Sequence, residues 1–270
     1  MTTNQISLES LTGERPMEGH TPDSLIAFHD AGYREMTTRC LPGRVLDVGC
    51  GVGAQTIRLR SADREVVGVD YHARTAAYAA QTHGDERTAF VAMDGARIGF
   101  ADSSFQSICS SHIIEHFVDP ESHVAELARV CAPDGRALVI TPNRPADFEN
   151  PFHLTLFEAR ELESLLRLFF DEVEVFGLEG TERLHEDFRG RRASGERLLK
   201  LDRFDLRHKI PRRAYIWAYE TVLPKVYGFL GSEKSGIGSG ITEDEFFLTP
   251  TITASTPGLF AIASRPRKQA

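Results

Sequence analysis

The sequence predicts an α/β fold in which a mainly parallel sheet is covered by helices on both faces. Short apolar runs alternate with helical stretches along the chain of 270 residues, and this alternation is typical of parallel strands joined by helical crossovers. A glycine-rich turn follows the first run, and aspartates stand at the ends of the first three. Ligands of such sheets bind beyond the carboxyl ends of the strands, so we expect the chemistry at that edge.

The elements follow in order from the apolar pattern and the turn residues. Seven strands are predicted, at residues 44–48, 65–69, 88–93, 105–110, 136–140, 172–175 and 259–263. A first helix is expected to start at Thr21, Pro22 and Asp23, which suit a cap and a first turn, and to end before Pro42. Further helices are predicted after Gly53 through Arg60, over 73–81 and 120–131, and from a capping box of Thr155 and Glu158 through Leu168.

The composition is that of a globular protein with a substantial core. The hydrophobic fraction is 41% and the charged fraction 26%, so disulfides or metal staples are not needed. Four scattered cysteines without a CxxC pair favour reduced thiols. We see no signal peptide and no apolar run of spanning length, and therefore expect a cytoplasmic protein. The net charge of −8 argues against a surface that as a whole binds nucleic acid.

Three regions are predicted along the chain. Residues 1–40 form an N-terminal helical cap, and residues 41–178 together with 258–270 form the core. Residues 179–257 form an insertion between the sixth and seventh predicted strands.

The insertion is locally basic and aromatic. Its segment 189–213 has ten Lys or Arg against three acids, and an apolar stretch with the single tryptophan, Trp217, follows. It could be a lid over a substrate pocket, a segment lying on an anionic membrane surface, or a contact for nucleic acid phosphates. A solvated basic face packed by an apolar stripe is the plain alternative.

The strongest signal for a ligand is the turn from Val45 to Gly53. Its glycines Gly49, Gly51 and Gly53 let the backbone approach a ligand closely. Dinucleotide enzymes also use such a turn, but Asp47 stands two residues before its first glycine. A carboxylate there repels a pyrophosphate and suits a ligand with an ammonium group, such as the methionine portion of S-adenosylmethionine (SAM).

Two further acids complete this pattern. Asp70 ends the second predicted strand, 19 residues after Gly51, where a carboxylate can accept both ribose hydroxyls. Asp94 ends the third, where it can accept from an adenine amino group beside the Gly95 amide. Three acids at consecutive strand ends thus match the ammonium, ribose and adenine parts of one nucleoside.

With these residues, the segment from 45 to 53 resembles motif I of class I SAM-dependent methyltransferases, and Asp70 and Asp94 fill the next two motif positions. The resemblance covers about residues 40–178 and the last strand. It implies a Rossmann-like sheet of seven strands whose last strand is antiparallel, with SAM as cofactor and S-adenosylhomocysteine as product. The cofactor-binding residues it implies are Asp47, Gly49, Cys50, Gly51, Asp70, Tyr71, Asp94, Gly95 and Ser111.

The segment after the fourth predicted strand supplies candidates for catalysis. Ser110 to His116 resembles the "-x-x-E-H" motif of the ubiquinone/menaquinone-biosynthesis-like branch of the family. A hydroxyl acceptor must lose a proton, and we predict His116 as the base, with Glu115 beside it. An E-x-x-E-H form of the motif binds a divalent metal in some relatives. Here His112 replaces the first glutamate, so the sequence does not support a metal but leaves it open.

Three other residues are predicted to contact the acceptor. His29 and Tyr33 share one face of the first helix, and His153 follows the fifth predicted strand. The segments 11–15, 141–143 and 150–153 resemble actinobacterial methyltransferases that act on sugars or polysaccharides, though more loosely. A small-molecule or saccharide hydroxyl is therefore the expected acceptor, and a quinone-like or lipid-linked acceptor is the nearest alternative.

Functions of other classes remain as alternatives. Asp47 argues against a nicotinamide-dependent oxidoreductase. A non-catalytic SAM-binding or RNA-binding module would bind the cofactor or RNA without turnover. Amino-methylation of nucleic acid bases is disfavoured, because Ser111 to Ile114 stand where such enzymes carry an Asn/Asp-Pro-Pro-aromatic motif.

Overall fold

A computed structural model describes residues 21–147, 152–199 and 238–267. The strands are β1 (Gly43–Val48), β2 (Arg64–Asp70), β3 (Thr88–Ala92), β4 (Phe105–Ser111), β5 (Cys131–Pro142), β6 (Phe170–Gly180), β7 (Phe246–Thr249) and β8 (Gly258–Pro266). The α-helices are α1 (Asp23–Arg39), α2 (Ala73–His83), α3 (Pro120–Val130), α4 (Ala159–Leu166) and α5 (Glu182–Leu199). Short 3₁₀ turns cover Thr56–Leu59, Ile114–His116 and Glu243–Glu245.

The described strands form one sheet in the order β3-β2-β1-β4-β5-β8-β6-β7. The pairs from β3 through β5 are parallel, whereas β8 runs antiparallel to both β5 and β6. The prediction of a mainly parallel sheet with an antiparallel last strand is thus confirmed, but the count of seven strands is wrong. The additional strand, β7, pairs with Gly177–Gly180 of β6.

The short edge strand β7 was missed for a physical reason. It has four residues, of which only Phe246 is fully buried, and it follows a Gly/Ser-rich stretch. A strand this short on a sheet edge has no alternating pattern to reveal it. The sixth strand is also longer than predicted, because β6 reaches Gly180 to pair with β7.

Three predicted helix starts differ from the structure. After Gly53 only the 3₁₀ turn Thr56–Leu59 forms, and the backbone is already extended at Arg60. At α1, Pro22 occupies the cap position without a side-chain cap bond. The capping box of α4 is made by Glu158 and Glu161, since the Thr155 hydroxyl donates to the Phe117 carbonyl instead.

Apolar side chains point alternately to the two faces of the sheet, and helices pack against both faces, as predicted. Leu46 and Val48 of β1 pack with α3 and α4 residues such as Leu127 and Leu162. Val45 points to the opposite face, where the core includes α1 residues together with Leu184 of α5. The helices therefore hold the parallel strands in register. The carboxyl ends of these strands meet at one edge of the sheet.

Within the described residues, no helix is long and apolar enough to cross a lipid bilayer.

Candidate active site

Backbone hydrogen bonds join the glycine turn after β1 to β2, and part of the backbone of the turn faces open space. The amides of Gly49 and Cys50 both donate to the Val69 carbonyl, at 2.8 and 3.0 Å. Gly51 has a φ of +53°, and a Cβ there would meet nothing within 4 Å. Gly53 instead packs closely, since a Cβ would lie 2.8 Å from the Phe90 ring. The turn is therefore rigid, and its backbone faces open space at Gly51, where a ligand fits.

Asp47 lies beneath this turn and is fully buried. The Thr56 hydroxyl donates to its Oδ2 at 2.7 Å, and the Tyr33 hydroxyl lies 3.1 Å from both carboxylate oxygens. Burial raises the pKa of Asp47 to about 6, against the lowering effect of these two hydrogen bonds. Asp47 thus joins α1, β1 and the 3₁₀ turn, and its charge acts on a ligand from below the turn.

Tyr33 and Cys50 are buried beside Asp47 and keep their protons. Burial, followed by the charge of Asp47, raises the pKa of the Tyr33 hydroxyl well above its usual range. Burial and the charges of Asp47 and Asp70 likewise raise the pKa of the Cys50 thiol. The structure places Tyr33, predicted to contact the acceptor, on the Asp47 carboxylate instead, because its hydroxyl turns inward.

Asp70 is the last residue of β2 and stands beside the open part of the turn. Its two oxygens accept from the Gly51 amide at 3.2 Å and from the His72 amide at 2.8 Å. A carboxylate offers about four lone-pair sites, so two remain for hydroxyl donors. Tyr71 follows directly and is 81% exposed, which leaves its ring available to cover a ligand at this edge.

Asp94 and Gly95 follow β3 at the same edge. The Asp94 carboxylate is exposed and accepts from the Ala96 amide at 2.9 Å. Gly95 is buried, and its carbonyl accepts from Nδ1 of His123 at 2.8 Å.

The sequence did not indicate the role of His123. Its Nε2 lies 3.0 Å from the Ser110 hydroxyl, and its ring stacks on Phe117 at 4.5 Å between centroids. Burial lowers the pKa of His123 to about 4, so its ring is neutral. The ring links the end of β3 to the end of β4 by its hydrogen bonds to Gly95 and Ser110.

Four histidines and a glutamate gather beyond β4 and β5. The ring centroids of His29 and His112 lie 4.2 Å apart, and those of His116 and His153 lie 5.4 Å apart. We call His29, His112, Glu115, His116 and His153 the histidine cluster. It brings together α1, the segment after β4 and the segment after β5, so the predicted residues His29, Glu115, His116 and His153 lie in one place.

The backbone after β4 turns sharply to form this cluster. His112 has a φ of +52°, a left-handed conformation that is uncommon for a residue with a side chain and is found at functional sites. Its amide still donates to the Ile140 carbonyl at 2.9 Å, which keeps the segment joined to β5. Ile113 then packs over the glycine turn, since a Cβ at Gly49 would lie 2.6 Å from Ile113 Cδ1. The histidine cluster is therefore adjacent to the open turn.

Glu115 is the anionic centre of the cluster. Its side chain is fully buried, and the Thr141 hydroxyl donates to Oε2 at 3.0 Å. Burial alone would raise the pKa of Glu115, but the neighbouring His112, His116 and His153 outweigh it and lower the pKa. Burial and these same histidines lower the pKa of His29 well below its usual range. The cluster thus combines a carboxylate with a neutral imidazole.

Hydrogen bonds fix the ring tautomers of His116 and His153. Nδ1 of His116 lies 3.0 Å from the Phe152 carbonyl, which can only accept, so Nδ1 carries the proton. Nδ1 of His153 donates in the same way to Oδ2 of Asp147 at 3.1 Å. In the neutral form of both rings the lone pair is therefore on Nε2, which is what a base or a metal ligand requires.

Buried polar atoms without partners mark the same place. Oε1 of Glu115, Nε2 of His112 and the Ser111 hydroxyl make no hydrogen bond within the described part of the chain. Buried polar groups are nearly always hydrogen-bonded, so an exception is informative. These three atoms belong to the last residue of β4 and to the segment that follows it, and they suit a polar ligand at this edge.

The predicted insertion is described only in part. Its first helix, α5, packs on α1, where the Ser24 hydroxyl donates to Asp187 at 2.6 Å. The rest of the basic segment and Trp217 lie outside the described residues.

Comparison with known proteins gives a consistent result. Residues 46–139 match the family described as "Methyltransferase domain". A probable S-adenosylmethionine-dependent methyltransferase of Mycolicibacterium smegmatis is 32% identical over 171 residues, which are 61% of this chain and 66% of that protein. The 27-O-demethylrifamycin SV methyltransferase of Amycolatopsis mediterranei is 31% identical over 143 residues, 48% of this chain and 52% of that protein.

A solved structure shows the same fold. Haemonchus contortus phosphoethanolamine N-methyltransferase 2, in complex with phosphomonomethylethanolamine and S-adenosylhomocysteine, has a TM-score of 0.52 at 19% identity. That likeness covers 92% of this chain and 54% of the other. The chain spans between about half and two thirds of the length of the curated relatives given above.

Proposed function

Because residues 46–139 belong to the class I SAM-dependent methyltransferase family, we propose that this chain transfers a methyl group from SAM to a hydroxyl oxygen of a small-molecule or saccharide acceptor. The observation that carries the proposal is the contact between Ile113 and Gly49. It puts the histidine cluster, which can hold an acceptor and take its proton, directly beside the turn that suits the cofactor.

The residues at the sheet edge fit SAM. The open backbone at Gly51 accommodates the methionine portion, and the ionised form of Asp47 below it favours a cation. Asp70 has acceptor sites left for ribose hydroxyls, and Asp94 with Gly95 lies beyond β3 for the adenine. Ser111 offers a buried hydroxyl without a partner among the described residues. When bound, SAM supplies an electrophilic methyl group on a sulfonium.

The acceptor is prepared by the histidine cluster. Nε2 of His116 carries the lone pair and takes the proton of the acceptor hydroxyl, while Nδ1 stays bonded to the Phe152 carbonyl. Glu115, held anionic by the surrounding histidines, stabilises the imidazolium that forms. His29 is neutral and lies on the α1 side of the cluster, where it positions the acceptor. Orientation of the acceptor in line with the methyl group supplies much of the acceleration.

Incubation of the full chain with methyl-labelled SAM and an extract of the host cell tests this function. We expect one labelled small molecule or saccharide in which the label sits on oxygen, as shown by mass spectrometry and carbon NMR. Label on a ring carbon of a quinone-like product would show that the acceptor is a quinone-like molecule and not the hydroxyl of a small molecule or saccharide. Binding of SAM without any labelled product would favour a non-catalytic module.

The buried Asp47 predicts a pH dependence of SAM binding. A cationic ligand favours the ionised form of a carboxyl whose pKa is raised to about 6, so binding should release a proton below that pH. Only about a tenth of such groups are ionised one unit below the pKa. We therefore expect the affinity for SAM to rise about 10-fold from pH 5 to pH 7 and then to level off.

Asp47→Asn is the matched control for this effect. The amide oxygen can still accept from Thr56, but it does not titrate. Titration calorimetry of both proteins between pH 5 and 7, where the amino group of SAM stays protonated, should give a flatter profile for the variant. Equal slopes would show that Asp47 is not the group that senses the ligand.

A further inference from the structure

We propose that Glu115, His116 and His153 form a binding site for a divalent transition metal ion. One potential ligand atom from each of them lies within 4.8 Å of the others. Two imidazoles and one carboxylate, with a position left open for water or substrate, are a ligand set of catalytic zinc sites. The inference concerns the metal site alone and stands whether or not the chain transfers methyl groups.

The surrounding residues orient each ligand in the way that metal sites require. Ligating histidines nearly always donate their second ring N–H to a carboxylate or a backbone carbonyl. His153 donates to Asp147 at 3.1 Å, and His116 donates to the Phe152 carbonyl at 3.0 Å. In both rings this leaves the lone pair on Nε2 and fixes the direction in which it points.

The carboxylate is arranged in the same manner. Oε2 of Glu115 accepts from the Thr141 hydroxyl at 3.0 Å. Oε1 is buried and has no hydrogen-bond partner among the described residues, and Nδ1 of His112 is 3.5 Å from it. A fully buried carboxylate oxygen whose nearest recorded donor is 3.5 Å away is incompletely satisfied, and a cation at this point would complete its coordination.

The chemistry of the ligands indicates which ions fit. Imidazole-rich sites suit Zn²⁺, Co²⁺ and related ions, whereas Mg²⁺ prefers oxygen ligands and keeps several waters. Ligand atoms that are about 2.1 Å from a common ion lie about 3 to 4 Å from one another. The ligand atoms of the three side chains would therefore move about 1 Å closer together on binding. Rotation of the partly buried His116 and His153 side chains would supply this movement without a change of the sheet.

The ligand set differs from the E-x-x-E-H pattern noted in the sequence. His112 occupies the first position of that pattern, but its Nδ1 faces Glu115. The third ligand, His153, comes from the segment after β5. With a metal bound, Nε2 of His116 would be a ligand and no longer a base, and the ion would supply a Lewis acid next to the acceptor.

Titration of the untagged full chain with Co²⁺, after removal of metals by a chelator, tests the proposal. We expect one equivalent to bind with a visible absorption band that Zn²⁺ abolishes and a large excess of Mg²⁺ does not. Glu115→Gln, His116→Ala and His153→Ala should each weaken binding by about 100-fold or more, and Asp147→Asn by about 10- to 100-fold. Glu115→Gln is decisive, because its amide oxygen can still accept from Thr141 and circular dichroism can confirm the fold.

His83→Ala is the control, since His83 lies at the end of α2, outside the cluster. It should bind Co²⁺ like the unchanged chain. The proposal is overturned if the unchanged chain binds no Co²⁺ and no Zn²⁺. It is equally overturned if Glu115→Gln and His153→Ala, both folded, bind as tightly as the control. Calorimetry with SAM on the metal-free chain is a separate readout, so failure of the metal site and failure of the proposed methyl transfer are told apart.

Discussion

His116→Ala is expected to lower kcat for methyl transfer by about 100-fold or more, while the affinity for SAM stays nearly unchanged. A positioned base contributes roughly this much to reactions that need proton removal, and His116 belongs to the histidine cluster, which contains none of the residues proposed to bind SAM. Steady-state kinetics with the identified acceptor and calorimetry with SAM measure the two quantities separately.

A control keeps this result apart from a structural effect. His116 also donates to the Phe152 carbonyl, so its loss could disturb the segment after β5. A base should be partly replaced by added imidazole at pH values where imidazole is neutral, whereas a structural role should not. Full activity of His116→Ala would remove this residue as the base and as a required metal ligand.

Asp70→Ala is expected to weaken SAM binding by about 100-fold or more. Hydrogen bonds to a charged group contribute about 1.5 to 3 kcal/mol each, and the proposed contact has two ribose hydroxyls. The variant also releases the amides of Gly51 and His72, which Asp70 holds in place. Calorimetry with SAM gives the change in Kd, and thermal unfolding without ligand shows whether the turn itself is weakened.

Two further variants separate these contributions. Asp70→Asn keeps an acceptor for the backbone amides but loses the charge, so its Kd should lie between those of the unchanged chain and Asp70→Ala. Asp94→Ala alters an exposed carboxylate at the next strand end, and we expect it to weaken binding less. An unchanged Kd for Asp70→Ala would contradict the proposed ribose contact.

Much of the fold was predictable because it depends on local patterns. Buried parallel strands are apolar runs bounded by turn residues, and seven of the eight described strands were found in this way. The missed strand, β7, is short and exposed on one side, and it exists because β6 is long enough to pair with it. Such pairing depends on residues about 70 positions apart, and no local pattern reports it.

The acidic residues and glycines at the carboxyl edge of the sheet were visible in the sequence, but their geometry was not. The sequence places Asp47 in the turn, yet the structure buries its carboxylate under Tyr33 and Thr56. Tyr33 is four residues from His29 on the same helix, so helical spacing alone suggested a shared role. Their side chains diverge, because Tyr33 reaches the β1 carboxylate while His29 contacts His112.

The histidine cluster was the least predictable part of the site. His29, His112 and His153 are far apart in the sequence, and only the sheet topology and the left-handed turn at His112 bring them together. The roles of Asp147 and Thr141 follow from the side chains they orient. Both are ordinary polar residues near the end of a strand, with no signal that distinguishes them from caps.

The central claim is that the carboxyl edge of the sheet binds a cationic nucleoside and not a dinucleotide. Titration calorimetry of the full chain with SAM, S-adenosylhomocysteine and NAD tests it most directly. We predict saturable binding of one SAM or one S-adenosylhomocysteine per chain, and no measurable binding of NAD. Binding of NAD that SAM does not displace, or no binding of SAM at all, would contradict the account.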